Sequence, residues 1–316
     1  MFIKKSEIYR NKPATIVGGL GVMSLSDTLE CGQAFRYEKL VSEENYVEYM
    51  TVAYGKIIRV GQEKAGELIF FDPWTEEYEA VVSKYFAFNI DFEKIRLDVI
   101  SRTDSEWLKR AAESAKGIVI LKQDPWESVF SFIISQNNNI PRIRKIIRAI
   151  SAEYGANLAY EEGRKDCPVG KENCFSGCDE CKSCGICYSF PTPMAVLERP
   201  DGLLPSKPGF RYKYLVDAAE KVDTGAVNLE KIAAARSYEY TKGELMKIKG
   251  VGEKVASCVA LFGFSNLEAF PIDVWMKRAI DEYFDGSLDP KTLGRYAGVA
   301  QQYIFHYIRN LRENNE

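Results

Sequence analysis

The stretch Leu245–Phe262 (LMKIKGVGEKVASCVALF) predicts two helices joined by a tight glycine turn. Thr241 and Glu244 have the spacing of a capping box, which indicates the start of the first helix. Gly250 and Gly252 form the turn, because glycine tolerates positive φ and leaves the backbone bare. The second helix begins directly after the turn. Its first amides and the positive end of its dipole face outward, an arrangement that suits a phosphate group.

Three side chains around this hairpin suggest chemistry. Lys254 lies in the first turn of the second helix, and Cys258 follows one turn later on the same face. Asp273 follows Pro271 at the predicted N-cap of the next helix. An amine, a thiol and a carboxylate at these spacings favour a catalytic site. The alternative is a nucleotide-binding hairpin with a surface lysine and a capping aspartate, since such hairpins also occur in non-enzymatic DNA-binding proteins.

The bulk properties limit the possible functions. The 316 residues are 46% apolar and 28% charged, with a formal net charge of −3, which argues against a uniformly basic DNA-binding surface. Backbone amides and a few placed cations must therefore supply any DNA contact. His306 is the single histidine, which leaves acid–base chemistry to carboxylates, lysine, cysteine or tyrosine. No apolar run reaches membrane-spanning length, so we expect a cytoplasmic protein without membrane contact.

Residues 1 to about 95 are predicted to form a small antiparallel sheet. Short apolar segments separated by polar or glycine-containing turns lie at residues 35–37, 47–54, 56–60 and 68–71. Residues 76–86 predict a helix that leaves the sheet. From about Asp104 the pattern is helical, and Asp124 and Pro125 mark the start of a buried helix. The predicted fold class is therefore α+β.

Two further segments carry a family resemblance. Residues 29–37 (LECGQAFRY), residues 131–142 (SFIISQNNNIPR) and the hairpin resemble the 8-oxoguanine DNA glycosylase/AP lyases of the helix-hairpin-helix superfamily with a Gly/Pro…Asp signature. The resemblance implies an N-terminal antiparallel β-sheet domain followed by an all-α helix-hairpin-helix bundle. The predicted units are the sheet domain (1–100), the first part of the helical domain (101–154), a cysteine-rich insert (155–189) and the catalytic helical part (190–316).

The resemblance also implies a base-excision reaction. Lys254 attacks C1′ of an extruded nucleotide as a neutral amine, and Asp273 stabilises the positive charge that develops on the sugar. In the resting site a Lys254 ammonium beside a Cys258 thiolate is expected. Loss of the base leaves a Schiff base, which permits β-elimination and strand cleavage without a cofactor. The implied base pocket consists of Gly32, Cys258, Gln301 and Phe305.

Gly32 is implied to select the oxidised base through its main-chain carbonyl. N7 of guanine is a hydrogen-bond acceptor, whereas N7 of 8-oxoguanine carries a proton. A fixed carbonyl therefore distinguishes the two bases, and an unpaired buried acceptor penalises the wrong one by roughly 1–3 kcal/mol.

A second implied set of residues contacts DNA: Asn137, Arg142, Phe210, Arg211, Gly250, Gly252 and Trp275. Asn137 fills the space left by the flipped nucleotide, and Phe210 is an aromatic wedge beside the opposite base. Arg142 and Arg211 read the opposite cytosine. Trp275 is a departure, because relatives place a histidine there, near a backbone phosphate. The implied partner is double-stranded DNA containing oxidised guanine, bound by a monomer.

A separate segment is rich in cysteine, with six of the eight cysteines between Cys167 and Cys187. In an intracellular protein this spacing favours thiolate metal binding over disulfides. The predicted ligands are Cys174, Cys178, Cys181, Cys184 and Cys187. A structural zinc ion is the first choice, because the segment lacks core residues with which to fold unaided. An iron–sulfur cluster and a metal-free segment remain alternatives, since five or six thiols overfill one zinc site.

Two other functions stay open at this point. An alkylbase glycosylase of the same superfamily usually uses the aspartate alone, so Lys254 argues against it. A non-catalytic DNA-binding protein would use the cysteine-rich segment as its functional part. The favoured prediction is base excision repair of 8-oxoguanine, preferably opposite cytosine, in the nucleoid of a bacterium or archaeon.

Overall fold

A computed structural model describes residues 3–161 and 185–313. Within these ranges the chain combines a six-stranded antiparallel sheet with a large helical part, which confirms the predicted α+β class. The strands are β1 (Ile3–Tyr9), β2 (Lys12–Gly18), β3 (Tyr37–Glu43), β4 (Tyr46–Ala53), β5 (Lys56–Gln62) and β6 (Leu68–Phe70). Their order across the sheet is β1-β2-β6-β5-β4-β3.

The β1–β2 hairpin was absent from the sequence prediction. Ile3 and Ile8 of β1 are 72% and 70% exposed, so this edge strand shows no alternation of apolar and polar residues. Its turn, Arg10–Asn11, has φ values of 49° and 63°. Two left-handed residues match the twist of paired strands, and this backbone geometry defines the hairpin where side-chain pattern does not.

Helices make up most of the remaining described chain. They are α1 (Leu25–Glu30), α2 (Glu76–Tyr85), α3 (Phe92–Ser101), α4 (Glu106–Ser114), α5 (Pro125–Ser135), α6 (Ile140–Tyr154), α7 (Leu158–Glu161), α8 (Pro193–Glu198), α9 (Tyr212–Asp223), α10 (Leu229–Ala235), α11 (Tyr238–Leu245), α12 (Glu253–Phe264), α13 (Val274–Tyr283) and α14 (Ala297–Glu313). In the described part of the chain, no helix has the length and apolarity that crossing a bilayer requires.

Of two helix starts predicted from capping residues, that of α5 is confirmed and that of α11 is wrong. Asp124 caps α5 as predicted, since its Oδ1 accepts from Glu127 N at 2.9 Å. The predicted capping box at Thr241 is wrong, because α11 begins earlier and Ser237 is its N-cap. Tyr238 explains the additional turn: its hydroxyl hydrogen bonds with Ser257 of α12 at 2.9 Å and anchors the start of α11.

The main apolar core joins the sheet to the helices. It contains Tyr49 of β4, Ile133 of α5 and Val259 of α12 together, and full burial of such side chains contributes about 1.5–3 kcal/mol each. A buried ion pair reinforces the junction, since Arg36 Nη1 donates to Glu127 Oε2 at 3.0 Å. The predicted domain boundary at residue 100 stays a prediction, because this core includes side chains from both sides of it.

A close helix contact places α14 beside the loop that precedes α13. Gly298 N donates to Leu267 O at 2.8 Å, and a Cβ at Gly298 would overlap the main-chain oxygen of Ala269. Glycine is therefore required at this position. The contact brings the first half of α14 next to the N-terminus of α13, where two groups of predicted site residues lie.

The segments on either side of residues 162–184 meet at one place in the fold. Leu158 N donates to Cys187 O at 2.9 Å, and Ser189 N donates to Ala156 O at 2.8 Å. The predicted ligands Cys174, Cys178, Cys181 and Cys184 lie outside the described residues. Cys187 lies inside them and is buried in an apolar cluster with Met50 of β4. The metal site therefore stays a prediction.

Candidate active site

Gly250 and Gly252 meet different constraints in the hairpin turn. Gly250 has a φ of +80°, and a Cβ there would overlap the ring of Tyr214. Gly252 is the N-cap of α12 with a φ of −96°, and a Cβ there would meet no atom within 4 Å. Asp217 also holds the turn, since its Oδ2 accepts from Lys249 N at 2.7 Å. Gly250 thus fixes the shape of the turn, whereas Gly252 leaves the amide end of α12 open.

A cavity of about 750 Å³ lies beside this hairpin. Its walls come from α5, α12, α13, α14, the loop after α1 and residues 136–139, which we call the asparagine turn. The predicted site residues that line the cavity are Gly32, Asn137, Gly252, Lys254, Cys258, Asp273, Trp275, Gln301 and Phe305. Both predicted catalytic residues and all four predicted base-pocket residues therefore share one cavity. The other predicted DNA contacts, Arg142, Phe210, Arg211 and Gly250, lie outside its wall.

Lys254 and Asp273 both influence the pKa of Cys258, in opposite directions. Lys254 is half-buried, with Nζ 5.9 Å from the ring centroid of Phe132. Cys258 is only 5% exposed. Burial raises the pKa of the Cys258 thiol, Lys254 opposes this rise through charge and a hydrogen bond, and Asp273 adds to it. The expected Cys258 thiolate stays a prediction: burial and Asp273 disfavour the charged form, whereas Lys254 favours it.

Asp273 is the N-cap of α13, as predicted. Its Oδ1 accepts from Met276 N at 2.8 Å, which holds the carboxylate at the cavity wall. Trp275 follows in the first turn, with the Arg278 guanidinium 5.5 Å from its ring centroid. Lys277 also lines the cavity and adds a cation that sequence analysis did not identify.

Gly32, Gln301 and Phe305 meet at another wall. Gly32 has a φ of +84°, and a Cβ there would lie 3.3 Å from Phe305 Cε1. Gln301 is 5% exposed, and its buried Oε1 has no hydrogen-bond partner among the described residues. An unpaired buried acceptor costs roughly 1–3 kcal/mol, so the Gln301 Oε1 atom is available to a hydrogen-bond donor.

The three asparagines of the asparagine turn, Asn137, Asn138 and Asn139, make different contacts. Asn138 Nδ2 donates to Ile134 O at 3.1 Å, at the end of α5. Asn139 caps α6, since its Oδ1 accepts from Arg142 N at 2.9 Å. Asn137 is exposed and has a φ of 47°, a conformation that asparagine adopts more readily than most residues. Asn138 and Asn139 thus serve the helix ends with their side chains, and the exposed Asn137 side chain lies beside them on the cavity wall.

Arg211 differs from the expected cytosine reader. It is 4% exposed, and its guanidinium donates to Gln136 O and Asn137 O at 2.9 Å each and to Pro208 O at 3.1 Å. Burial lowers the pKa of Arg211, and the nearby Arg142 lowers it further. Most of its N–H groups are thus committed to the backbone, because a buried guanidinium must satisfy its donors. Arg142, by contrast, is exposed.

Phe210, the predicted aromatic wedge, is a large apolar residue at the surface, and its role stays a prediction. Its side chain is 51% exposed, although it is large and apolar. The Arg211 guanidinium lies 4.5 Å from its ring centroid, and Tyr214 packs edge-on against it at 6.1 Å. Tyr214 also contacts Gly250. Phe210 is thus linked to the asparagine turn through Arg211 and to the hairpin through Tyr214.

Known proteins resemble this chain over its whole length. The structure of a Clostridium acetobutylicum 8-oxoguanine glycosylase/lyase, in complex with double-stranded DNA containing cytosine opposite 8-oxoG, is 32% identical, with a TM-score of 0.79 over 100% of this chain and 99% of that one. The chain belongs to the 8-oxoguanine DNA glycosylase family. MBOgg1, in complex with a low-affinity DNA ligand, is 31% identical over 98% of this chain and 99% of its own, with a TM-score of 0.79.

Sequence comparisons agree with this family membership. The family model for the 8-oxoguanine DNA glycosylase N-terminal domain matches residues 19–129. A Saccharomyces cerevisiae N-glycosylase/DNA lyase is 28% identical over 284 residues, which are 81% of this chain and 67% of the yeast protein. The predicted family and fold are therefore confirmed. The expected bacterial or archaeal source is not supported, because the relatives of this family member include a yeast protein.

Three residues that line the cavity were not predicted from the sequence: Phe132, Lys277 and Gln302. Phe132 lies within an apolar run, where a cavity-lining ring has the same pattern as a core ring. Lys277 follows Asp273 by one helical turn, a spacing that could have identified it. Gln302 is buried and lines the cavity beside Gln301, and only the tertiary structure reveals its partner.

Proposed function

We propose that this chain excises 8-oxoguanine from duplex DNA, preferably opposite cytosine, and then cleaves the strand at the resulting abasic site. One observation carries the proposal: an amine, a thiol and a carboxylate, those of Lys254, Cys258 and Asp273, line one cavity with Gly32 and Gln301. The proposal is supported by the relative from Clostridium acetobutylicum, which was solved with cytosine opposite 8-oxoG. A cavity of about 750 Å³ also has the volume of a small-molecule site.

Lys254 is the proposed nucleophile. The glycosidic carbon is unreachable inside the duplex, so the damaged nucleotide is first extruded into the cavity. The neutral Lys254 amine forms a bond to C1′, and the glycosidic C–N bond breaks with its electron pair leaving on the base. Asp273 stabilises the positive charge that develops on the sugar. The nitrogen loses a proton, the C1′–O4′ bond of the resulting aminal breaks, and O4′ takes up a proton, which leaves a protonated Schiff base between Lys254 and C1′. Removal of a C2′ proton from this Schiff base expels the 3′ phosphate by β-elimination and cleaves the strand.

The proposed base pocket separates oxidised from normal guanine. Gly32 accepts from N7–H through its main-chain carbonyl, a bond that guanine lacks. Gln301 pairs with the Watson–Crick edge, since the base supplies the donor that its buried Oε1 lacks in the free protein. Phe305 and Cys258 sandwich the ring. The pocket needs no cofactor for these contacts.

The duplex is proposed to lie across the hairpin, the wedge and the asparagine turn. Gly250 and Gly252 shape the hairpin so that backbone amides hold a phosphate. Asn137 occupies the gap left by the extruded nucleotide, and Phe210 stacks beside the opposite base. Arg142 is the exposed cation proposed to read cytosine. Arg211 is proposed to hold the asparagine turn, and Trp275 to contact the backbone near the reacting sugar.

The lesion panel tests this function. We expect release of 8-oxoguanine from duplexes with cytosine opposite the lesion to exceed release opposite the other bases by roughly 1–3 kcal/mol in transition-state free energy. An alkylbase glycosylase would instead release methylated bases, and a non-catalytic DNA-binding protein would release none. Either outcome would replace the proposed function.

Borohydride trapping tests the nucleophile. Lys254→Gln should bind lesion DNA but form no trapped adduct, and excision should fall by at least about 10³-fold. Lys247→Gln is a matched control, because Lys247 lies on the same hairpin but is exposed and paired with Glu244 at 2.6 Å. A trapped adduct in Lys254→Gln would place the nucleophile elsewhere.

The cysteine-rich segment is proposed to hold a structural zinc ion. Of its predicted ligands only Cys187 lies among the described residues, so the support is the spacing of the cysteines and their thiolate chemistry. Metal analysis of the purified protein tests this part separately. About one zinc per chain is the expected result, whereas iron with acid-labile sulfide would indicate a cluster instead.

A further inference from the structure

Gln302 holds the peptide group that precedes Gly32. Its side chain is 3% exposed, and its Nε2 donates to the main-chain oxygen of Cys31 at 2.8 Å. Gln302 follows Gln301 directly on α14, so neighbouring residues of one helix serve one pocket. Gln301 has an unpaired oxygen at the cavity, whereas Gln302 contacts the loop.

A second glutamine holds the loop on the other side of Gly32. Gln123 Nε2 donates to the main-chain oxygen of Gln33 at 2.7 Å. The Gln33 side chain is fully buried; its Oε1 accepts from Leu121 N at 2.9 Å, and its Nε2 donates to Val119 O at 2.8 Å. Gly32 therefore lies between two peptide groups whose carbonyls are both engaged.

The peptide group between Gly32 and Gln33 is the one that matters for recognition. It carries the Gly32 carbonyl on one side and the Gln33 N–H on the other. Rotation of this peptide group changes ψ of Gly32 and φ of Gln33, and glycine tolerates a wide range of backbone angles, so the Gly32 side offers little resistance. A rotated group would present a donor in place of an acceptor, which favours N7 of guanine over N7–H of 8-oxoguanine.

We propose that Gln302 is a positioning residue that keeps the Gly32 carbonyl directed at the base and thereby sets the preference for oxidised over normal guanine. Two buried hydrogen bonds on the flanking peptide groups leave the central group one orientation. The Gln302 donor is engaged by Cys31 O, so Gln302 is proposed to act through the loop. This inference rests on the function proposed above.

Gln302→Met tests the inference, because methionine has a similar length but no donor. Single-turnover excision of 8-oxoguanine opposite cytosine should fall by about tenfold. Cleavage at a preformed abasic site should change less than about twofold, since that substrate has no base to recognise. In the catalytically inactive Lys254→Gln background, the ratio of affinities for 8-oxoguanine and guanine duplexes should narrow by a similar factor.

Two further variants separate positioning from general damage. Gln123→Met removes the bond on the other flank and should narrow the same affinity ratio. Asn310→Ala also lies on α14, removes a hydrogen bond to His306 and does not line the cavity, so it should leave both excision and the ratio unchanged. The melting temperature of each variant shows how much of any effect reflects lost stability.

The outcomes are distinct. The inference is supported if Gln302→Met loses excision but keeps abasic-site cleavage, and if the ratio of affinities for 8-oxoguanine and guanine duplexes narrows. Equal losses in excision and abasic-site cleavage, or an unchanged ratio, would overturn it and make Gln302 a structural residue. If the wild-type chain released no 8-oxoguanine, the proposed function would fail first, and this result is visible before any variant is made.

Discussion

Arg211 donates from Nη2 to the main-chain oxygen of Asn137 at 2.9 Å. The same guanidinium reaches Gln136 O from Nε at 2.9 Å and packs against the ring of Phe210. A planar fork of donors can bridge adjacent carbonyls in this way, whereas a single ammonium cannot. Arg211, which follows Phe210, therefore holds Asn137, the residue proposed to fill the space left by the extruded nucleotide.

Arg211→Lys should weaken lesion excision to a similar extent whichever base lies opposite. The bridge to the asparagine turn is lost, at a cost of roughly 1–3 kcal/mol, but no cytosine contact is removed. Arg142→Gln is the matched comparison, because Arg142 is exposed and its loss should reduce the preference for cytosine. Single-turnover excision opposite each of the four bases measures both effects. A selective loss opposite cytosine in Arg211→Lys would restore the base-reading role.

Asp273→Asn should separate the two tasks of Asp273. Asparagine is as good an N-cap as aspartate, so the bond to Met276 N persists and the free energy of unfolding should change by less than about 0.5 kcal/mol. The charge that stabilises the sugar is lost, and excision should fall on the order of 10²–10³-fold. Chemical denaturation and single-turnover kinetics on the same preparation test both statements.

Asp273→Ala is the control for the cap. It should lose the same activity and about 1 kcal/mol of stability besides. If Asp273→Asn kept wild-type excision, the carboxylate would have only a structural role at the start of α13.

The sequence was sufficient for the parts of the site that local rules determine. The N-cap at Asp273, the helix start after Gly252 and the left-handed turn at Gly250 each follow from residue type and spacing. The upward shift of the Cys258 pKa did not follow, because it depends on burial and on a carboxylate distant in the chain. The contacts of Arg211 did not follow for a related reason: an arginine that satisfies carbonyls of another segment has the same sequence pattern as one that binds DNA.

The alkylation of Cys258 should follow the charges around it. Only the thiolate reacts, and burial has raised the pKa, so the reaction should increase with pH at higher values than for an ordinary thiol. Lys254→Met removes a group that lowers this pKa and should shift the profile upward. Asp273→Asn removes one that raises it and should shift the profile downward. Opposite shifts in the two variants would show that charge controls the reaction. A change in reagent access to Cys258 would not produce opposite shifts.

Mass spectrometry of the peptide that contains Cys258 measures this reaction apart from that of the other cysteines. A cysteine peptide in the unfolded state supplies the reference profile. Faster labelling than this reference near neutral pH would indicate the thiolate, and slower labelling would indicate the neutral thiol that burial favours.

Serine substitutions at the two hairpin glycines should have different effects. Gly250→Ser requires a side chain at φ +80° against the Tyr214 ring, so it should cost at least about 1 kcal/mol of stability. Gly252→Ser should keep or increase stability, since serine is a favoured N-cap and the site is open. Its Cβ nevertheless stands where a phosphate would approach the amides of α12, and affinity for undamaged duplex should fall. Binding measured by fluorescence anisotropy at several salt concentrations, with urea unfolding in parallel, tests the pair. Wild-type affinity in Gly252→Ser would mean that DNA does not use this end of the helix.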